Sequence, residues 1–158
     1  MSRPNRTTSH ADPEYARQTI GLPQAILCDL DGTLALLNKR NPYDASGCEN
    51  DVLNRPVALV LQCFRKEGFR IVLISGRMDQ YKEQTVRWLK RHGVLYDDLF
   101  MRRANDRRKD SIIKREIYDR EIRDKYYVEF VLDDRNQVVD LWRKDLKLPC
   151  FQVYYGDF

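Results

Sequence analysis

From Ala25 onward the chain alternates short apolar runs with amphipathic stretches. The runs at residues 25–28, 71–74, 99–101, 128–132 and 151–153 are each bounded by polar residues, which predicts five buried strands. Asn54 is placed to cap a helix with Pro56 in its first turn, where a missing N–H costs little. The apolar positions Val57, Val60, Leu61 and Phe64 follow helical spacing, and Gly68 marks the stop. Further helices are expected over residues 80–92, ending at Gly93, and over 111–124, with Ile113 and Ile117 one turn apart. A last helix is expected over 136–146, with Val138, Val139, Trp142 and Leu146 on one face and Pro149 behind it. Trp88 and Trp142 are both expected to pack in the core. Apolar strands alternating with helices mean right-handed βαβ units around a parallel sheet. The fold class is therefore α/β, Rossmann-like, with about five strands flanked by helices.

Residues 1–24 lack this texture. They are polar, contain Pro4, Pro13 and Pro23, and are expected to form a flexible N-terminal arm with a helical turn around residues 13–18. Residues 25–158 then make one domain, which suits a 158-residue chain. Mean hydropathy is −0.64, and no apolar run approaches the roughly 20 residues of a membrane helix, so a membrane role is not expected. With no apolar signal segment at the start, the expected compartment is the cytoplasm. Cys28, Cys48, Cys63 and Cys150 form no C-x-x-C pair and read as reduced thiols.

Charge changes the picture at one place. The net charge is +4, yet residues 102–115 alone carry seven basic side chains against two acidic ones. Such a run is either a solvated face or an attraction for an anion, and its neighbours decide which. In parallel sheets, ligands bind at the carboxyl ends of the strands. After the first strand come Asp29-Leu30-Asp31-Gly32-Thr33, and after the second Ser75, Gly76 and Arg77. After the third, the basic loop leads to Lys109; after the fourth come Asp133 and Asp134. Two carboxylates two residues apart project to the same side, so one can attack phosphorus while the other hands a proton to the leaving alkoxide. Carboxylates that close repel each other, and a hard divalent cation with oxygen ligands relieves the repulsion. Gly32 is expected to turn the chain so that backbone N–H groups face a phosphate, with Thr33 and Gly76 beside it. Ser75 and Lys109 are expected to neutralise the phosphate oxygens.

These motifs, in this order, resemble the haloacid dehalogenase superfamily. The stretch Asp29–Asp44, Ile74–Arg77, Arg108–Asp110, Asp133–Arg143 and the terminal Gly156–Phe158 resemble the 3′-phosphatase domain of phage and bacterial polynucleotide kinase/3′-phosphatases. The resemblance implies Asp29 as nucleophile forming an aspartyl-phosphate, and Asp31 as general acid and then base. It also implies Mg²⁺ on Asp29, the Asp31 carbonyl and Asp134, with Asp133 assisting, and Arg40 and Arg77 near the substrate. No G-x-x-x-x-G-K-[ST] occurs in the chain, so 5′ kinase work would fall to a separate kinase, acting alongside a ligase.

Neither the window at residues 33–51 nor that at 102–110 is long enough to fold an independent cap, so no large cap domain is expected. A site without a lid admits the end of a polymer. Arg102, Arg103 and Arg107 are expected to hold backbone phosphate of such an end, and the resemblance implies the function, Mg²⁺-dependent removal of 3′-terminal phosphate from DNA or RNA ends. The alternative is a phosphatase of nucleotides or another small phosphomonoester on the same scaffold.

Overall fold

The computed structural model describes residues 13–157. Its strands are β1 (Gln24–Asp29), β2 (Ala35–Leu36), β3 (Val52–Leu53), β4 (Arg70–Met78), β5 (Asp98–Arg102), β6 (Tyr127–Arg135) and β7 (Cys150–Gly156). Five of them form one parallel sheet in the order β5-β4-β1-β6-β7. β2 and β3 make a small antiparallel pair beside the end of β1.

β1 is central, which explains its unbroken apolar run. Ala25 and Leu27 point into one half of the core with Ile113, Val139 and Trp142. Ile26 and Cys28 point into the other with Leu61, Trp88 and Phe130. Helices α1 (Arg55–Lys66) and α2 (Lys82–Arg91) cover that second face through Val57, Leu61, Trp88 and Leu89. α3 (Asp110–Ile117) and α4 (Asn136–Asp140) cover the first through Ile113, Ile117, Val138 and Val139. Each of these two helices runs on into a π-helical stretch, Tyr118–Ile122 and Leu141–Asp145 respectively. Both tryptophans are fully buried.

Several expectations need correction. Residues 13–18 form no helical turn. The Ala16 N–H donates to the Lys147 carbonyl at 2.9 Å, and the Gln18 amide pairs both ways with the Val128 backbone at 2.7 and 2.8 Å. This part of the expected arm is therefore tied to the domain; the rest of the arm, residues 1–12, lies outside the described residues. Asn54 stands at the start of α1 but does not cap it, because its side chain donates to the Thr33 carbonyl at 2.7 Å. Residues 33–51 hold only β2 and a 3-10 turn, Cys48–Asn50, and residues 103–109 form a loop, so no cap domain is present there. No helix among the described residues is long and apolar enough to cross a membrane.

Candidate active site

β1 delivers Asp29 to the carboxyl edge of the sheet, where its carboxylate is buried. Facing it is Lys114. On α3 the buried stripe is Asp110, Ile113, Lys114 and Ile117, so a lysine occupies a position whose spacing belongs to the core. Its Nζ donates to Asp29 Oδ1 at 2.7 Å and Asp133 Oδ2 at 2.9 Å, and lies 3.5 Å from Asp110 Oδ2. Burial alone would discharge the ammonium, but the three carboxylates outweigh it and hold its pKa well above the ordinary lysine value. Burial pushes Asp29 well above the usual carboxylate range; Lys114 opposes the shift, and Asp133, Asp134 and Asp110 add to it.

Lys109, expected to hold the phosphate, does not itself meet Asp29. Lys109 immediately precedes α3 and is exposed at the rim of the cavity. The group that meets Asp29 is Lys114, more than a turn further along the helix.

Asp133 and Asp134 close the other side. Both Asp133 oxygens already accept N–H bonds. Oδ1 takes those of Asp134 and Arg135 at 3.0 and 3.3 Å, while Oδ2 takes Lys114 and the Trp142 indole, the latter at 3.1 Å. Asp134 is pushed up to about 6, by burial first and by Asp133 second. Carboxylate oxygens of Asp29, Asp133 and Asp134 all lie within 4.8 Å of one another. Asp29 and Asp134, buried hard oxygen donors that resist ionisation, fit a divalent cation, with Asp133 beside them. Gly32 (φ 87°) is obligatory here, since a Cβ would collide with the Asp134 carboxylate. Its N–H and that of Thr33, expected beside a phosphate, instead close the turn onto the Ala35 and Leu30 carbonyls at 2.9 and 3.1 Å. The Thr33 hydroxyl likewise donates to Asp134 at 3.2 Å.

Asp31 sits in a second ionic cluster. Arg77 Nη2 and Arg40 Nη2 donate to its Oδ1 at 2.7 and 2.5 Å. Both arginines also grip Asp51. Arg40 does so with Nε and Nη2, each at 2.8 Å, and Arg77 with Nη2 at 2.8 Å. The register between β4 and β5 breaks between Ser75 and Met78, an irregularity at the edge where Arg77 reaches Asp31. Ser75 is fully buried and its oxygen accepts the Arg77 N–H at 3.1 Å. A Cβ at Gly76 would meet the Asp110 carboxylate.

Arg102, expected to hold substrate, lines the main cavity with its guanidinium already engaged by the protein. Its guanidinium donates to the carbonyls of Gly76, Asp106 and Arg108 at 2.7, 2.9 and 2.6 Å and to Asp110 Oδ1 at 3.2 Å, bracing the loop against β4. Arg103 faces away, into a small separate depression. Arg107 and Lys109 line the main cavity, about 560 Å³ in volume, with Asp29, Asp31 and Lys114. Sequence reasoning misses Asp51, Asp110 and Lys114. The signal available for the last two is their place on the apolar stripe of α3; Asp51 offers none.

The family of the polynucleotide kinase PNKP phosphatase domain matches residues 23–158. A putative bifunctional polynucleotide kinase/RNA ligase of Autographa californica nuclear polyhedrosis virus is 38% identical over 133 residues, covering 80% of this chain and 19% of that protein. A chain of the solved Pnkp1/Rnl/Hen1 RNA repair complex superposes with a TM-score of 0.93 at 54% identity, covering 97% of this chain and 49% of that one. The class C acid phosphatase from Bacillus anthracis shares the fold, with a TM-score of 0.54 at 20% identity over 75% of this chain and 54% of that one. The chain thus spans about half of the repair-complex chain and about a fifth of the viral protein.

Proposed function

The chain belongs to the family of the polynucleotide kinase PNKP phosphatase domain, and from that premise we propose that it removes the terminal phosphate from 3′ ends of RNA, and of DNA presenting the same end. The observation that carries this reading is the pairing of Asp29 with Lys114 inside an uncapped cavity whose rim bears Arg107 and Lys109.

In this reading Asp29 attacks phosphorus and forms an aspartyl-phosphate. Asp31 gives its proton to the departing 3′ oxygen, then takes one from the water that hydrolyses the acyl phosphate. Arg40 and Arg77 fix Asp31 in place, themselves fixed by Asp51. Lys114 and the Ser75–Gly76 segment of β4 meet the phosphate oxygens as charge moves onto them. Asp29, Asp134 and the Asp31 carbonyl would hold Mg²⁺, which supplies positive charge to the attacking carboxylate and the phosphate. Asp133, with both oxygens engaged by the protein, orients Lys114. A kinase and an RNA ligase are the activities named beside the matching region in the viral relative. We therefore assign this chain to end healing that precedes ligation.

The experiment is phosphate release from 3′- and 5′-phosphorylated RNA and DNA oligonucleotides, with Mg²⁺ or with chelator. Release is expected from the 3′ ends alone and only with the cation. Equal or faster turnover of free nucleotides would move the assignment to a nucleotidase.

A further inference from the structure

We propose that Tyr43 is a stacking platform for the unpaired nucleobase of the 3′-terminal nucleotide; the inference rests on the 3′-phosphatase reading above. Among the described residues a dozen large apolar side chains stand exposed, and Tyr43, at 74%, is the one of them that lines the catalytic cavity. Pro42 lines it beside Tyr43, so the two present adjoining flat apolar surfaces at its wall. A phosphate needs neither. A nucleobase does, because every base has a π-face and base–aromatic stacking tolerates any sequence.

The loop that carries the ring is built rather than loose. Asn41 organises it, accepting the Tyr43 N–H on its side-chain oxygen at 2.9 Å and the Asp44 N–H on its carbonyl at 3.0 Å. Arg40 then donates from Nη1 to the carbonyls of Asn41 and Asp44 at 3.4 and 3.1 Å. The same guanidinium holds Asp31 and Asp51. One side chain thus fixes the tyrosine loop relative to the proton donor of the reaction. A base seated on Tyr43 would have its own 3′ oxygen brought into register with Asp31, whereas a base paired in a duplex has its faces covered by its neighbours. Arg107 and Lys109 line the same cavity and suit the next backbone phosphate.

The test uses the full chain and RNA oligonucleotides whose 3′-phosphorylated terminal nucleotide either carries its base or is abasic. For the wild type, KM for the abasic end is expected to be about tenfold higher, which equals about 1.4 kcal/mol and lies within the range for one stacked base. In Tyr43→Ala that ratio should fall to near one, because the base has lost its partner, while Tyr43→Phe and Tyr43→Trp should keep it. Melting temperature identifies any variant that has failed to fold; the Phe and Trp variants then carry the comparison. A tenfold ratio that survives in a folded Tyr43→Ala, or a wild type indifferent to the base, overturns the stacking role and leaves the 3′-phosphatase reading standing. Failure of the wild type on both ends overturns the 3′-phosphatase reading itself.

Discussion

Replacing Lys114 by methionine removes one charge from the centre of the site while keeping most of the side-chain volume. The ammonium is fully buried and lies 2.7 to 3.5 Å from three carboxylates. At an effective dielectric near 20, each close pair attracts by about 6 kcal/mol before desolvation is subtracted. Breaking a buried pair by deleting one partner leaves a net loss of about 3–5 kcal/mol, because the stranded charges remain in the interior. For a chain of this length that corresponds to a drop of roughly 10 °C in Tm. The pH dependence gives a second readout. Lys114 has its pKa raised on folding, so its contribution is fully present at pH 7 and is lost only as pH rises past the ordinary lysine value. In the variant, Asp29 loses the one group that lowers its pKa, so its raised pKa climbs further. It then takes up protons as pH falls, and the stability gap from wild type narrows toward pH 5. Lys109→Met is the control: that side chain is exposed, and its loss should cost no more than about 0.5 kcal/mol. Thermal melts from pH 5 to 8 and single-turnover phosphate release on both variants complete the comparison. A Lys114→Met protein that melts like wild type and turns over normally, beside an inactive Lys109→Met, would refute the assignment.

Asp134 is held near 6 against an ordinary value of 3.8, so the native state binds more protons than the unfolded chain between those values and loses stability as pH rises through them. Asp134→Asn should therefore raise Tm at pH 7 in the absence of cation, by at most about 3 kcal/mol of stability, while abolishing any Mg²⁺-induced rise; a lower Tm at pH 7 than at pH 4 in the variant as in the wild type would contradict this. Arg102→Ala should lower Tm and slow turnover of every substrate, since the brace to Gly76 and Asp110 is lost. Arg107→Ala should instead raise KM for oligonucleotides and flatten its salt dependence, and identical behaviour of the two variants would refute the division of labour. Burial pushes the Cys28, Cys48 and Cys150 thiols up, Cys150 to about 12, whereas Cys63 is exposed. Iodoacetamide on the native protein should add one label by mass, and rapid addition of four would contradict the burial.

The sheet is readable from the sequence because its strands are apolar runs ending in polar clusters, a pattern set by burial on both faces. The β1 motif is readable for a related reason. Two carboxylates and a glycine directly after a buried strand put paired acids at the edge where parallel sheets bind ligands, and a turn facing only solvent has no use for them. Lys114 is harder to find, because Lys109 sits where the strand-three loop ends and position along the chain outweighs helical phase. Asp110, Ile113, Lys114 and Ile117 follow the spacing of a buried helix face, and two charged residues on such a face mark a buried ion pair. Gly32 and Thr33 mislead because backbone N–H groups near a phosphate motif look available until the turn that consumes them is seen. Asp51 lies 20 residues beyond Asp31 in an irregular segment, and no periodicity connects it to Arg40 or Arg77. Only the fold brings it between them.

The two aspartates of the β1 motif stand two residues apart, yet their surroundings are balanced differently. Around Asp31 there are two carboxylates, Asp31 and Asp51, and two arginines that touch both. There each carboxyl group is met by both guanidinium groups. Around Asp29 the carboxylates of Asp29, Asp110 and Asp133 share the one lysine, with Asp134 close by. Arg102 and Arg135 form ion pairs with Asp110 in that group, at 3.2 and 3.6 Å. The charge deficit therefore falls on Asp29 and Asp134, the two carboxylates whose pKa values are raised. A divalent cation placed among them would counter the excess negative charge and favour the ionised form of Asp29. The difference in local charge supports the division of labour proposed above, with Asp29 attacking beside a cation and Lys114 and Asp31 transferring protons under two arginines.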